Sequence, residues 1–396
     1  MDWMIEIGLA FARIFMQPFI YLFFLIILIS GYRRIKKDRK SFGSKVYPYF
    51  YETKNTWSIA IVIGLLLSGL SIAFGFMVSI HFSLLVGLII FVIAITNRFS
   101  WLSAGDVLAI SAAVMYFINV YGEGYIQMSW INSLDVTDLF YIPFLVVIFL
   151  LAETWYLARV DGSDTFPELV KSNRGKNLGQ HRIKKLTIIP FVALFPAGVI
   201  EPYADWWPIF EIGETSFGLI VIPYLFGFEY ITKSMLPQTA SNWLAKRIAL
   251  LALVVLTLAI GGFFVPILTV IALATGFLGK EIIQYFYRTL ELKNPAYFQP
   301  ASKGLLVLGT LPNTPAVDLG LIPGERIIKV NDRVVENEQQ YYQAINENRA
   351  FCKLAIKDLN GETRFAQRAL YEGEHHKLGI LFVSEIESYT QLKQES

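Results

Sequence analysis

The histidines of this chain are spaced so that they cannot act together. There are four. His81 stands alone between two apolar runs, His181 lies in a basic segment, and His375 and His376 are adjacent. An intramembrane metalloprotease needs two histidines at i and i+4 with a glutamate beside the first, so that the metal ligands share one helix face. No such run occurs, and adjacent histidines cannot share a helix face. A serine-hydrolase elbow needs Gly-x-Ser-x-Gly; the nearest approach, "GETSFG" at 213–218, has the wrong spacing. The segment "TGFLGKEI" at 275–282 echoes a phosphate-binding loop but lacks its first glycine and the Ser or Thr after the lysine. The single cysteine, Cys352, excludes an intrachain disulfide. It alternates with Lys353 in "FCKLAIKD" and reads as a small buried strand residue. The residues therefore point away from catalysis, and they suggest neither a metal nor a cofactor.

The elements that carry these residues are those of a membrane protein. Hydrophobic residues make up 55% of the chain and charged residues 17%, against roughly 25% charged in soluble domains. A net charge of +2 gives no case for nucleic acid. A spanning helix needs about 20 mostly apolar residues. The runs 8–31, 57–79, 82–97, 102–120, 139–158, 187–203 and 217–232 meet that requirement closely enough to predict spans. The block 248–279 holds Gly261, Gly262 and Pro266, which break a helix, and reads as a tight helical hairpin. One long tilted helix is the rival reading. The expected total is eight to nine spans. Lys and Arg gather in segments 33–56, 159–186 and 233–247, with Arg98 in 98–101, while 121–138 and 200–216 carry none. Those two hold Glu123, Asp135, Asp138, Glu201, Asp205, Glu211 and Glu214 instead. Basic segments mark the cytoplasmic side, which puts the N-terminus outside and makes the first run a reversed signal-anchor. Asp106, Glu153 and Glu229 are expected as interface charges, with Glu229 four residues before Lys233. Arg13 is the oddest charge, about one turn inside the first run. The cluster "RRIKKDRK" suits topology setting, and also attraction of anionic lipid.

Beyond residue 300 the chain turns polar and strand-like. "GLLVLGTLPNTPAVDLGLIPGERIIKVNDRVV" (304–335) reads as strand, short helix, turn and strand. A helix (337–348), a strand (351–359), an Asn360-Gly361 hairpin turn and a return strand follow. This order resembles a bacterial PDZ domain, which binds an extended peptide between a sheet edge and a helix. The Φ-Gly-Φ loop that grips a peptide carboxylate in such domains is absent before Gly304, whereas Leu378-Gly379-Ile380 has its character. A rearranged groove lined by Leu378, Gly379, Ile380 and Phe382, facing Tyr342 and Ile345, is the candidate site; a plain closing core strand is the other reading of "LGILFV". The expected fold is a polytopic α-helical membrane domain followed by a small α+β PDZ-like domain. Its parts are a multi-span region (1–285), a linker (286–300), a cytoplasmic PDZ-like domain (301–385) and a C-terminal tail (386–396).

The whole plan resembles the MinJ family of division-site topological determinants of Gram-positive rods. The resemblance rests on the reversed anchor with "GYRRIKKDRK", the multi-span body, and the run from "LPNTPAVDLGLIPGERIIKVND" to "CKLAIKDLNGETRFAQRALYEGEHHKLGI". It implies a membrane adaptor at septa and cell poles, connecting a DivIVA-like curvature-sensing scaffold to a MinD-like ATPase and so placing the MinC inhibitor of division. It implies no catalytic residues and no cofactor; the partners are proteins and membrane lipids, with no small-molecule substrate. The reading from another class is a regulatory or transport-associated membrane protein whose PDZ-like module senses a peptide.

Overall fold

The computed structural model describes residues 2–121, 140–172, 175–203, 207, 216–300, 303–348, 350–371 and 378–383. The acidic residues Glu123, Asp135, Asp138, Asp205, Glu211 and Glu214, the pair His375 and His376, and the tail 386–396 lie outside the described residues.

The first apolar run is two helices, α1 (Asp2–Met16) and α2 (Pro18–Phe42). Pro18 starts α2 where a missing N–H costs nothing, and Gly43 ends it with φ +71° and an N–H bonded to Arg39 O. Then come α3 (Trp57–Phe74), α4 (Ile80–Ile95), α5 (Ala104–Tyr121) and α6 (Ile142–Ala158). Three strands follow: β1 (Phe166–Lys171), β2 (Asn177–Ile200) and β3 (Phe217–Thr232). The block 248–279 lies within a helical hairpin, α7 (Pro237–Gly262) and α8 (Ile267–Lys293), turned at Phe263–Pro266. Among the described residues four helices, α2, α3, α7 and α8, are long and apolar enough to cross a membrane.

The segments 187–203 and 217–232 are therefore not spanning helices. They form the long antiparallel hairpin β2–β3, in register from His181 opposite Thr232 to Pro196 opposite Phe217. A continuous apolar run has no period to separate a helix from a strand covered on both faces. Here α3 packs on β2 and α1 on β3, so nearly every β3 residue is buried. Pro190 sits opposite Pro223, which confines the two missing donors to one rung.

A sheet inside a membrane body must satisfy its edges without water. Near the tip, Val78 N–H donates to Leu194 O (2.8 Å) and Leu194 N–H to Phe76 O (3.2 Å). Ser68 Oγ on α3 accepts from Val192 N–H at 2.8 Å. On the other edge, Arg13 donates to Leu219 O (2.7 Å), Gln17 donates to Val221 O (2.6 Å), and Leu219 N–H donates to Glu6 (3.1 Å). Arg13 also pairs with Glu6 at 2.7 Å. The odd charge of the first run is a side-chain cap on a strand edge.

The C-terminal region is β-rich: β4 (Leu305–Thr310), α9 (Pro315–Asp318), β5 (Arg326–Val330), β6 (Arg333–Val334), α10 (Glu338–Glu347), β7 (Phe351–Lys357), β8 (Thr363–Ala369) and β9 (Ile380–Phe382). The strand order is β8-β7-β5-β4-β9, with β6 paired to β5. Asn331 and Asp332 both adopt left-handed φ, +46° and +69°, as a two-residue hairpin turn requires. One face of this sheet packs with Ala316, Tyr341, Ala344 and Ile345 into a core that includes Cys352. Burial pushes the Cys352 thiol up to about 12, in keeping with a packing role.

Candidate functional site

The proposed groove residues divide between core and surface. β9 is the last strand of the sheet, antiparallel to β4. Leu378, Ile380, Phe382 and Ile345 are all buried in the domain core. Tyr342 is 40% exposed; its neighbour Tyr341 faces β9 instead, with its ring edge-on to Phe382 at 4.9 Å. Two adjacent tyrosines leave the helix phase open. The i+3 and i+4 partners of Tyr341, Ala344 and Ile345, are the signal that selects it. Gly379 has φ +81°, and a Cβ there would strike the Thr314 side chain. Leu311 N–H donates to Gly379 O (2.7 Å) and Ala316 N–H to Leu378 O (2.9 Å). A side chain at Gly379 would strain the fold itself, so this position cannot report on binding alone.

The second face of β4 and β9 is covered by the membrane body. Leu306, Leu308, Leu381 and Val383 pack with Tyr47, Tyr51, Phe166 and Phe298. The segment expected as a linker is strapped down: Tyr297 N–H donates to Lys233 O and Gly179 N–H to Phe298 O, both at 2.7 Å. Beside Phe298, His181 Nδ1 lies 2.8 Å from Thr165 Oγ1, with its ring 4.7 Å from the Phe298 ring. Burial pushes His181 down to about 3, so the imidazole is neutral.

Below this contact lies a buried charge network that joins α2, the turn at Tyr49–Thr53 and β1–β3. Arg182 Nε meets Glu168 at 2.9 Å, Arg182 also pairs with Glu229, and Lys184 reaches Glu52 (3.7 Å) and Glu229 (3.9 Å). Arg34 lies 3.5 Å from Glu52 and 3.4 Å from Asp38. Burial by itself would raise Glu168; its bonds from Arg182 and Gln180 outweigh that and hold the carboxyl below its ordinary value. Glu229 was expected to pair with Lys233 four residues on. Its partners are across the ladder instead, because this segment is a strand in which Lys184 stands opposite Glu229.

Glu153 and Asp106 are likewise buried inside the protein. Glu153 pairs with Lys280, both fully buried, and accepts from Tyr230 (2.7 Å) and Ser103 (2.9 Å). Asp106, 1% exposed, lies in the first turn of α5. No group of three or more His, Cys, Asp or Glu able to hold a metal occurs among the described residues.

The chain is similar, at 34% identity over 384 residues, to a Bacillus subtilis protein named cell division topological determinant MinJ. That match covers 97% of this chain and 96% of the relative. Proteins of Lacticaseibacillus paracasei and Lacticaseibacillus casei, both named probable cell division topological determinant MinJ, are 25% identical over 250 residues. Those matches cover 58% of this chain and 62% of each relative. No family model matches, and no solved structure matches.

Proposed function

Because this chain belongs to the MinJ family of cell division topological determinants, we propose that it is a membrane adaptor that sets division-site placement. In this reading it connects a DivIVA-like scaffold at poles and septa to a MinD-like ATPase, and through it places the MinC inhibitor. The observation that carries the reading is relatedness along the whole length: 97% of this chain aligns with a protein named a cell division topological determinant. A membrane body with a β-rich domain docked on it supports an adaptor. We read that domain as PDZ-like and cytoplasmic, since it packs on the segments rich in Lys and Arg, and we propose no catalytic step. The partner surface we assign to it is the outer edge of β9, because the side chains at Leu378, Ile380 and Phe382 are occupied in the core.

A fluorescent fusion should gather at septa and poles, and deletion should give misplaced septa or filaments. Uniform membrane fluorescence with normal septation would sink the proposal. Orientation is tested separately by fusing alkaline phosphatase or a fluorescent protein after Ser396. A fluorescent, phosphatase-negative result fits the cytoplasmic assignment, and phosphatase activity removes it. The second reading, a transport-associated or regulatory protein with a peptide-sensing module, draws on Glu153, Lys280 and Asp106, since buried charge in a membrane body often marks an ion path. The full set of partners at Glu153 favours a structural role for it.

A further inference from the structure

The cleft between the basic ends of α7 and α8 takes no part in anything described above. It is a cavity of about 510 Å3, lined in part by Trp243 and Arg247 from α7 and by Ile283, Phe286 and Lys293 from α8. The lining carries two cationic side chains and no carboxylate. Arg247 is fixed rather than loose: its guanidinium lies 3.5 Å from the Trp243 ring centroid and donates to the Trp243 carbonyl at 3.1 Å. One such bond leaves most of the five guanidinium donors for other acceptors.

The depth of the cleft identifies what it faces. From Arg247 to Gly262 helix α7 rises about 22 Å, and from Ile267 to Phe286 helix α8 rises about 28 Å. The hairpin tip, with Phe263 and Phe264 exposed, is thus separated from the cleft by roughly the 30 Å of a hydrocarbon core. That puts Arg247 and Phe286 near headgroup level, with Lys293, about 39 Å along α8 from Ile267, on the aqueous side of them. Tipward of them, Leu250, Leu253 and Val254 on α7 and Leu278 and Ile282 on α8 are 41% to 62% exposed. Their spacing of three and four residues makes one apolar stripe along each helix.

We propose that this cleft is a binding site for the phosphate headgroup of an anionic phospholipid in the leaflet facing the basic segments. The acyl chains would run along the two stripes. Charge selects the ligand: a zwitterionic headgroup brings its own cation, for which the lining has no anionic partner, whereas an anionic headgroup is met by Arg247 and Lys293.

The test is native mass spectrometry of the full chain in detergent, titrated with phosphatidylglycerol or phosphatidylcholine. The wild type should retain phosphatidylglycerol adducts preferentially. The double substitution Arg247→Gln with Lys293→Gln should weaken them roughly thirtyfold, and Arg247→Lys should restore part of the loss. A control, Lys36→Gln with Lys37→Gln on the exposed face of α2, should leave the tightest adduct in place. Equal retention of both lipids, unchanged retention in the double variant, or the same loss in the control would each overturn the proposal. Inorganic phosphate is the further arm. If it displaces the lipid at the double-variant-sensitive site, the occupant is a soluble phosphate and the lipid assignment fails.

Discussion

Glu153 and Lys280 have no exposure at all, and at the scale of single residues that decides what their removal costs. A buried pair earns little net stability, because desolvation of both ions offsets their attraction; removing one partner strands the other and costs about 3–5 kcal/mol. Glu153→Gln and Lys280→Met should therefore each lower the thermal midpoint of the detergent-solubilised protein sharply. The double variant should recover most of the loss, since neither member of the pair is then left without the other. Additive losses in the double variant would show that the two are not acting as a pair. His181 makes a prediction in pH. Its pKa falls from the ordinary 6.5 in the unfolded chain to about 3 in the folded one, so the unfolded state binds the extra proton. The associated stability is fully present above about pH 6.5 and is lost as pH falls from there toward 3, by up to about 1.4 kcal/mol per unit. Glu168, the carboxylate acting on His181, moderates the shift without reversing it. Thermal midpoints taken between pH 7 and 5 should fall less steeply for His181→Asn than for the wild type; parallel slopes would count against a neutral buried imidazole.

At the scale of elements, the hairpin β2–β3 is where sequence and structure part. The apolar helices α3 to α8 were legible from run length, and the break at Gly261–Pro266 was legible from residue type. The stretches "LTIIPFVAL" and "FGLIVIPYLFGF" were long enough for helices and apolar enough for lipid. Their β-branched residues were the local signal for strand and their central prolines counted against an unbroken helix, but burial on both faces erased the alternation that would have settled it. The same error hid the partners of Lys184 and Glu229, which pair across the ladder, and the strand carbonyl of Leu219 that Arg13 caps. The strand edges give the corresponding prediction. Gln17→Leu removes the donor to Val221 O, leaving a buried carbonyl unsatisfied at a cost of about 1–3 kcal/mol. Arg13→Leu should cost more, as it also strands Glu6. A drop in midpoint for both, larger for Arg13→Leu, is the expected result; neutral substitutions would mean that these edges are wetted.

At the scale of the whole molecule, the C-terminal domain is packed on the body instead of hanging from it. The order of strands and helices could be read from the turns, but which face of β4 and β9 would be covered could not, since Leu306, Leu308 and Leu381 alternate with equally apolar core residues. Phe298 is fully buried at the centre of that contact. Phe298→Asp should release the domain, which limited proteolysis would read as much faster cleavage between residues 294 and 303. An unchanged digestion pattern would refute the docked arrangement.

The strand β2 gives that docking a mechanical meaning. It runs without interruption from Gly179, bonded to Phe298 beneath the domain, to Leu194, bonded to Val78 at the far end of the body. At about 3.3 Å per residue the distance is about 50 Å, well beyond the hydrocarbon thickness. One extended rod thus links the far end of the body to the domain, and sets the height of the domain above it. That height is written in the strand register, not in the length of the connecting segment. Lengthening the chain around residues 301–303 would leave it unchanged, whereas a two-residue insertion in β2 would lift the whole platform by one pleat.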